Sequence, residues 1–285
     1  MLVRAAMYVA QVPALQLILS LLLALALSRP LVSFLTEGGH LRSNYRDEML
    51  PCPLGLLIPA AALAALIPLA LLAGLFSLNT LDLVGLPLIL GVVALGIADD
   101  AFAGSSRGWR GHGGAALSGA FSTGALKAFG TLGLALAWCA VTQDGVARFL
   151  LASLVIVLAT NLFNLFDLRP GRSVKVFVLV GLGCTLGAWS LDPLLSLGLW
   201  VGPILVCGAL DLRERGILGD SGSNVVGVVA GIWLVLVLGT TGLAVAAAVL
   251  VLLTIYGEVR SINSLVESTP GLSHLDSIGR IVHRA

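Results

Sequence analysis

Residues 147–175 read ARFLLASLVIVLATNLFNLFDLRPGRSVK. The run from Phe149 to Leu158 is apolar enough to lie in lipid, yet it continues into Asn161, Asn164 and Asp167 and then meets Arg169, Arg172 and Lys175. At 100° per residue the first three fall within about 120° of one another on a helix, so one stripe of two amides and a carboxylate is predicted to point into a bundle. Polar residues inside a membrane span mark function by default. Helix–helix hydrogen bonding is the plainer account of Asn161 taken alone, and positive anchors at the membrane surface are the plainer account of Arg169 and Arg172.

The rest of the chain supports a membrane setting. Of 285 residues, 58% are hydrophobic and 11% charged, against about 25% charged in a soluble domain. Such a composition excludes an ordinary soluble protein and predicts an all-α, polytopic integral membrane protein. The net charge of +1 says little about partners; the lipid bilayer is the expected one, and no nucleic-acid partner is expected. Cys52, Cys139, Cys184 and Cys207 show no metal-type spacing and read as small lipid-phase or core residues.

A helix needs about 20 apolar residues to cross the hydrocarbon. Nine segments qualify, at approximately 6–28, 53–75, 81–98, 124–142, 147–166, 175–191, 194–210, 224–240 and 242–258, with a range of eight to ten. The first lacks a convincing small-residue cleavage site and reads as a span, not a signal peptide. The 34 glycines suit close helix packing in lipid. With the N-terminus outside, Arg4 and Arg148 alone fall on the outer side, and the remaining Lys and Arg residues, Arg42, Arg107, Arg110, Lys127 and Arg284 included, fall on the other. That asymmetry makes the second side cytoplasmic. The expected organisation is one transmembrane domain over 1–285, with a cytoplasmic tail over 259–285.

Most polar clusters fall on that cytoplasmic side. The third segment ends ALGIADD, and two adjacent carboxylates, Asp99 and Asp100, at a helix C-terminus repel each other unless something positive sits beside them. Ahead of the eighth segment, ILGDSGSN places Asp220, Ser221 and Ser223 where backbone N–H groups can meet an anion; a simple helix cap is the alternative. Four carboxylates, Asp99, Asp100, Asp167 and Asp220, thus lie on one face with Lys127, Arg169, Arg172 and Lys175 near in sequence. Hard oxygen ligands suit Mg²⁺, with Mn²⁺ as a substitute, shared with substrate phosphates. Carboxylates, cations and a helix N-terminus together form an inventory for phosphoryl transfer.

On these residues the chain resembles the polyprenyl-phosphate N-acetylhexosamine-1-phosphate transferases, the family of the phospho-MurNAc-pentapeptide translocase and the GlcNAc-1-phosphate transferases. NYRDEMLPCPLG at 44–55 is similar to the family's first cytoplasmic loop, GIADD to its paired-aspartate motif, NLFNLFD to its NxxNxxD motif and ILGDSGSN to its GDxGS motif. Lys127 in TGALK resembles the lysine that opens the family's fourth span. The likeness covers roughly residues 40 to 227; each motif is weak alone, but the ordered set is specific.

The resemblance implies transfer of a HexNAc-1-phosphate from a UDP-sugar to undecaprenyl or another polyprenyl phosphate, with release of UMP, for cell-envelope glycan synthesis at a bacterial plasma membrane. It implies that Asp220, with Asp100, holds Mg²⁺, that Asp99 is either a polar contact or the base, and that Lys127 neutralises phosphate charge. Asn161, Asn164 and Asp167 would position nucleotide and metal, and a homodimer is implied as well. Two departures stand out. After Asp167 the family motif's second carboxylate is replaced by Pro170 between Arg169 and Arg172, and the His-rich loop expected after the ninth segment is reduced to STPGLSHLDSIGR with a single His274. These favour a second reading, a catalytically reduced homologue that binds prenyl phosphate or nucleotide as a scaffold for envelope assembly. A transporter would call for inverted repeats, and none is found.

Overall fold

The computed structural model describes residues 14–76, 78, 82–102 and 123–281. Residues 6–13 and 81 of the predicted spans, together with Arg4, Arg107, Arg110 and Arg284, lie outside the described residues. Among the described residues the fold is helical apart from one short hairpin. In chain order it comprises α1 (Ala14–Glu37), strands β1 (Leu41–Ser43) and β2 (Met49–Pro51), a single 3-10 turn (Leu54–Leu56), α2 (Leu57–Phe76), α3 (Leu86–Phe102), α4 (Thr123–Thr142) and α5 (Val146–Phe166). There follow α6 (Arg172–Ala188), α7 (Asp192–Ser196), α8 (Gly198–Leu212), α9 (Asp220–Val237), α10 (Thr240–Val259), α11 (Ile262–Ser268) and α12 (Pro270–Ser277).

Within the described residues, each of the nine apolar segments contributes helix. Among the described residues, six helices are long and apolar enough to cross a membrane: α1, α2 with its 3-10 turn, α4, α5, α9 and α10. Helices α3 and α6 have 17 residues each, and α8 is a shorter apolar helix. Exposed leucine, valine and phenylalanine side chains such as Leu63, Phe129, Leu179 and Leu252 stand on the outside, where a lipid environment removes the penalty water would exact.

Three boundaries differ from the sequence reading. Helix α1 runs on to Glu37 and so carries Arg29 and Pro30 within it, not in a loop. The segment expected as one helix over 194–210 is broken at Leu197 into α7 and α8. Gly198 presses so closely on α1 that a Cβ there would lie 2.9 Å from the Leu17 nitrogen, and the Ser20 hydroxyl donates to the Gly198 carbonyl at 2.9 Å. Helix α9 begins at Asp220, four residues early, so the DSGSN stretch is its first turn and not a loop ahead of it.

Helix α9 is the centre of the bundle. Its residues from Ser221 to Trp233 are buried on every side, as expected for a helix that is small and apolar all round. It packs against α5, α3 and α6. Small residues set the spacing: a Cβ on Gly227 would stand 2.6 Å from the Thr160 Cα of α5, and one on Gly96 would stand 2.6 Å from the Ser221 Cα. The second approach brings the end of α3, with Asp99 and Asp100, onto the start of α9.

The hairpin and the chain before α9 are laced together. Leu41 pairs with Pro51 and Ser43 with Met49; beyond the strands, the Ile217 N–H donates to the Pro51 carbonyl at 2.8 Å, while Leu54 and Gly55 donate to the carbonyls of Ile217 and Leu218. Thus the loop that delivers Asp220 is fixed by backbone bonds to the segment that delivers Arg42. The expected tail is not extended: α11 and α12 pack on each other and their side chains bond to the start of α6.

Candidate active site

The site is built from the N-terminus of α9 outward. Gly219, at φ +75°, turns the chain into the helix without supplying a side-chain cap. Asp100 supplies it from α3: its two oxygens accept from the backbone N–H groups of Asp220 at 3.0 Å and Ser221 at 2.8 Å. A carboxylate there meets unsatisfied donors and the positive end of the helix dipole. The expectation that these N–H groups stand free for a bound anion is therefore corrected: Asp100 is the anion they hold, because Gly96 lets α3 come close enough. Arg42 from β1 approaches the same carboxylate at 3.7 Å.

Asp99 turns the other way. Lys127, near the start of α4, sets its ammonium 2.7 Å from Asp99 Oδ2 and 2.6 Å from Asp220 Oδ2. The repulsion foreseen for two neighbouring acids is relieved by separating them, one onto a helix end and one onto a lysine. Asn164 of α5 donates to Asp220 Oδ2 at 3.4 Å and accepts from the Ser223 hydroxyl at 2.9 Å. Helices α3, α4, α5 and α9 thereby meet at one polar knot.

Beside this knot lies a cavity of about 860 Å³. Its lining includes Asp99, Asp100, Asp167, Asp211, Glu214 and Asp220, against Arg42, Lys127 and Arg169. Six acidic groups thus face three basic ones. Asp167 ends α5 as its C-cap. Loss of water around it, then the charges of Asp211, Asp220 and Asp100, push its carboxyl well above the ordinary range, with Arg42 opposing. For Arg42, loss of water pulls its pKa down, but the neighbouring Cys52, Asp100 and Asp220 outweigh that and raise it. At the rim the Arg169 guanidinium lies 4.5 Å over the ring of Tyr45 and Nη2 donates to Glu267 at 3.1 Å.

Of the residues singled out in the sequence, Asp99, Asp100, Lys127, Asn164, Asp167, Arg169 and Asp220 share this cavity. Ser221 and Ser223 are fully buried in the first turn of α9, Ser223 acting through Asn164 and Ser221 through its backbone. Asn161, one turn earlier on α5, is not part of the lining. Arg172, Lys175 and His274 are not brought to the cavity either. Arg172 is 4% exposed and bonds both oxygens of Asp276 at 2.9 Å, Lys175 donates to the Asp276 carbonyl, and His274 is exposed on α12.

Besides Arg42, two contributors escaped the sequence reading. Asp211, buried near the end of α8, accepts from the Gly171 N–H at 2.6 Å and so caps α6 as Asp100 caps α9. An acid inside the apolar run CGALDL was its signal. Glu214 lines the cavity and anchors the hairpin turn, accepting from Asn44 and Tyr45 and pairing with Arg46 at 3.2 Å; nothing in its local sequence marks it.

Among the described residues no group of three or more His, Cys, Asp and Glu side chains is arranged to hold a metal ion. The donors do suit a hard cation shared with phosphate oxygens, which takes one or two carboxylates and keeps waters. Asp220 has a second oxygen outside the lysine contact, and each Asp100 oxygen accepts one N–H where an ionised carboxylate oxygen has room for two donors. The acid excess of the lining supplies the charge such an ion needs. No protein-family model matches the chain, and no curated protein matches it in sequence.

Proposed function

We propose that the protein is a membrane-embedded, Mg²⁺-dependent transferase that moves a HexNAc-1-phosphate from a UDP-sugar to polyprenyl phosphate. The observation that carries this reading is the meeting of Asp99, Asp100, Lys127, Asn164, Asp167 and Asp220, from four helices that are separate in sequence, at one cavity. A cavity at the end of an apolar bundle suits one substrate from water and one from lipid. The reading keeps nine spans, the N-terminus outside and the cavity on the cytoplasmic side of a bacterial plasma membrane.

In the proposed reaction a phosphate oxygen of the lipid bonds to the β-phosphorus of the UDP-sugar as the bond from that phosphorus to the bridging oxygen breaks, and UMP leaves with that oxygen. Asp220 and Asp100 are the residues to hold Mg²⁺, which would neutralise diphosphate charge when bound. Lys127 is already poised between Asp99 and Asp220, so its ammonium can turn from one carboxylate to an incoming phosphate while keeping the other. Asn164 fixes the Asp220 carboxylate, and Arg42 and Arg169 add positive charge at the rim. Catalysis of this kind is alignment of two anions and neutralisation of their repulsion.

A second reading, a homologue that binds prenyl phosphate or nucleotide as a scaffold, draws support from Asp100, which serves as a helix cap, and from Asp220, which is tied to Lys127. The deciding experiment uses purified protein in detergent with Mg²⁺, undecaprenyl phosphate and a panel of UDP-sugars, and scores UMP release. Release with one donor, lost in Asp220→Asn, is the expected result. No release with any donor from folded protein would reject the transferase in favour of the scaffold.

A further inference from the structure

We propose that the C-terminal helices α11 and α12 are a strap that sets the conformation of the cavity wall at Asp167–Gly171, with Asp276 as its positioning residue. The wall is gripped from behind. Arg172 uses all three nitrogens on the strap: Nε and Nη2 donate to the two oxygens of Asp276 at 2.9 Å each, and Nη1 donates to Asn263 Oδ1 at 2.6 Å. Arg280 donates Nη2 to the same Asp276 carboxylate at 2.9 Å and Nε to the Pro170 carbonyl at 3.1 Å. One carboxylate thus organises two guanidinium forks, a geometry that restricts orientation as well as distance.

From the front, the next N–H, that of Gly171, is held by Asp211 at 2.6 Å. Gly171 sits at φ +71°, and a Cβ there would meet Leu212 at 2.6 Å, so the chain has a single path between the two grips. Asp167 and Arg169, which line the cavity, lead directly into that gripped peptide. Moving α12 would shift the Pro170 carbonyl and, with it, the presentation of Arg169 at the rim. The strap lends the cavity no lining residue of its own, so its influence passes through the wall. Arg172 therefore belongs to the support of the site and not to its ligand.

The consequence for the substrate rests on the transferase reading: the wall meets the UDP-sugar, so loosening it weakens donor binding more than it slows the chemistry. The test is Asp276→Asn in the full chain, followed by amide hydrogen exchange and by UMP-release kinetics. Exchange at Gly171 and Arg172 is expected to quicken by about tenfold or more while α9 stays protected. KM for the UDP-sugar should rise about tenfold, as for other residues that orient a ligand-holding group, with kcat within about twofold of wild type. Asp276→Glu should recover part of both effects. Unchanged exchange at the wall, exchange quickened equally through the whole bundle, or a loosened wall with unchanged KM would each overturn the proposal. Should Asp276→Asn not fold, Arg280→Gln, which loosens the contact to the Pro170 carbonyl, carries the same expectations. If wild-type protein releases no UMP, the transferase reading fails while the exchange pattern still decides whether the strap holds the wall.

Discussion

The segment Asp167–Lys175 has two faces, and they are charged in opposite ways. Toward the cavity, Asp167 looks at Asp211, Asp220 and Asp100, and acidic groups outnumber basic ones in the lining. Toward the tail, Arg172, Lys175 and Arg280 converge on one acid, Asp276. The tail side is a closed account of hydrogen bonds, with a bidentate pair whose two side chains are 5% and 10% exposed. The cavity side leaves carboxylate oxygens with spare capacity and a lysine shared between two acids. A cluster whose groups satisfy one another supports structure; a cluster with unmatched charge is suited to take a ligand.

That contrast can be broken most directly at Asp220. Asp220→Asn keeps shape but removes the charge, and UMP release should fall by about a thousandfold, as when a charge-stabilising group is lost. Thermal unfolding should change little, since the variant removes one acid from a cavity with too many. Loss of fold in place of loss of turnover would make the cavity cluster structural too, and erase the difference. Next in size is Arg172→Leu, which strands Asp276 with half its partners. Removing one member of a buried pair costs about 3 kcal/mol or more, read as a lowered melting temperature in detergent. If instead stability held and UDP-sugar binding failed, Arg172 would be a ligand contact after all.

Gly96→Ala probes the join between α3 and α9. Its Cβ would fall 2.6 Å from the Ser221 Cα and 2.9 Å from the Asp220 carbonyl oxygen, backbone that has no rotamer to yield. Overpacking of this kind costs about 1–3 kcal/mol, and the shift should also loosen Asp100 from the N–H groups it caps. Melting temperature and the Mg²⁺ dependence of UMP release should both move. A variant as stable as wild type would mean that α3 and α9 need not approach so closely.

Much of this was legible in the sequence, for physical reasons. Apolar length alone predicts where helices form, and a three-residue spacing puts Asn164 and Asp167 on one face of α5. The pair Asp99–Asp100 announces its need for positive charge. What the spacing could not show is which positive group each would find, because the answer depends on Gly96 and on how deeply α3 settles against α9. The same limit applies to Arg172 and Lys175. In the sequence they follow Asp167 by a few residues and read as its companions; in space Gly171 turns the chain so that they face α12, about 100 residues on. Asp211 and Glu214 were missed because each acts only through a partner distant in sequence, Gly171 for one and the hairpin turn for the other.

The smallest effect expected is the difference in how the two faces respond to acid. Loss of water, then the neighbouring acids, raise the Asp167 carboxyl well above its ordinary value. Its folded form therefore binds a proton more tightly than the unfolded chain, whose carboxyl titrates at about 3.9; stability on this account is highest below that pH and declines as pH rises toward the folded value. Asp276 behaves in the reverse sense. Its own desolvation works upward, but hydrogen bonds and charge from Arg172, with Arg280 and Lys175, outweigh it and hold the carboxyl below its ordinary value. That contribution is present above the unfolded value and is lost as pH falls through the lowered one. Melting curves in detergent from about pH 3 to pH 8 should separate the two carboxyls by sign. Asp167→Asn should be more stable than wild type near neutrality and match it in acid, whereas Asp276→Asn should be less stable near neutrality and converge with it in acid. Shifts of the same sign would mean that the wall does not divide two opposite fields, and that its two faces share one electrostatic environment.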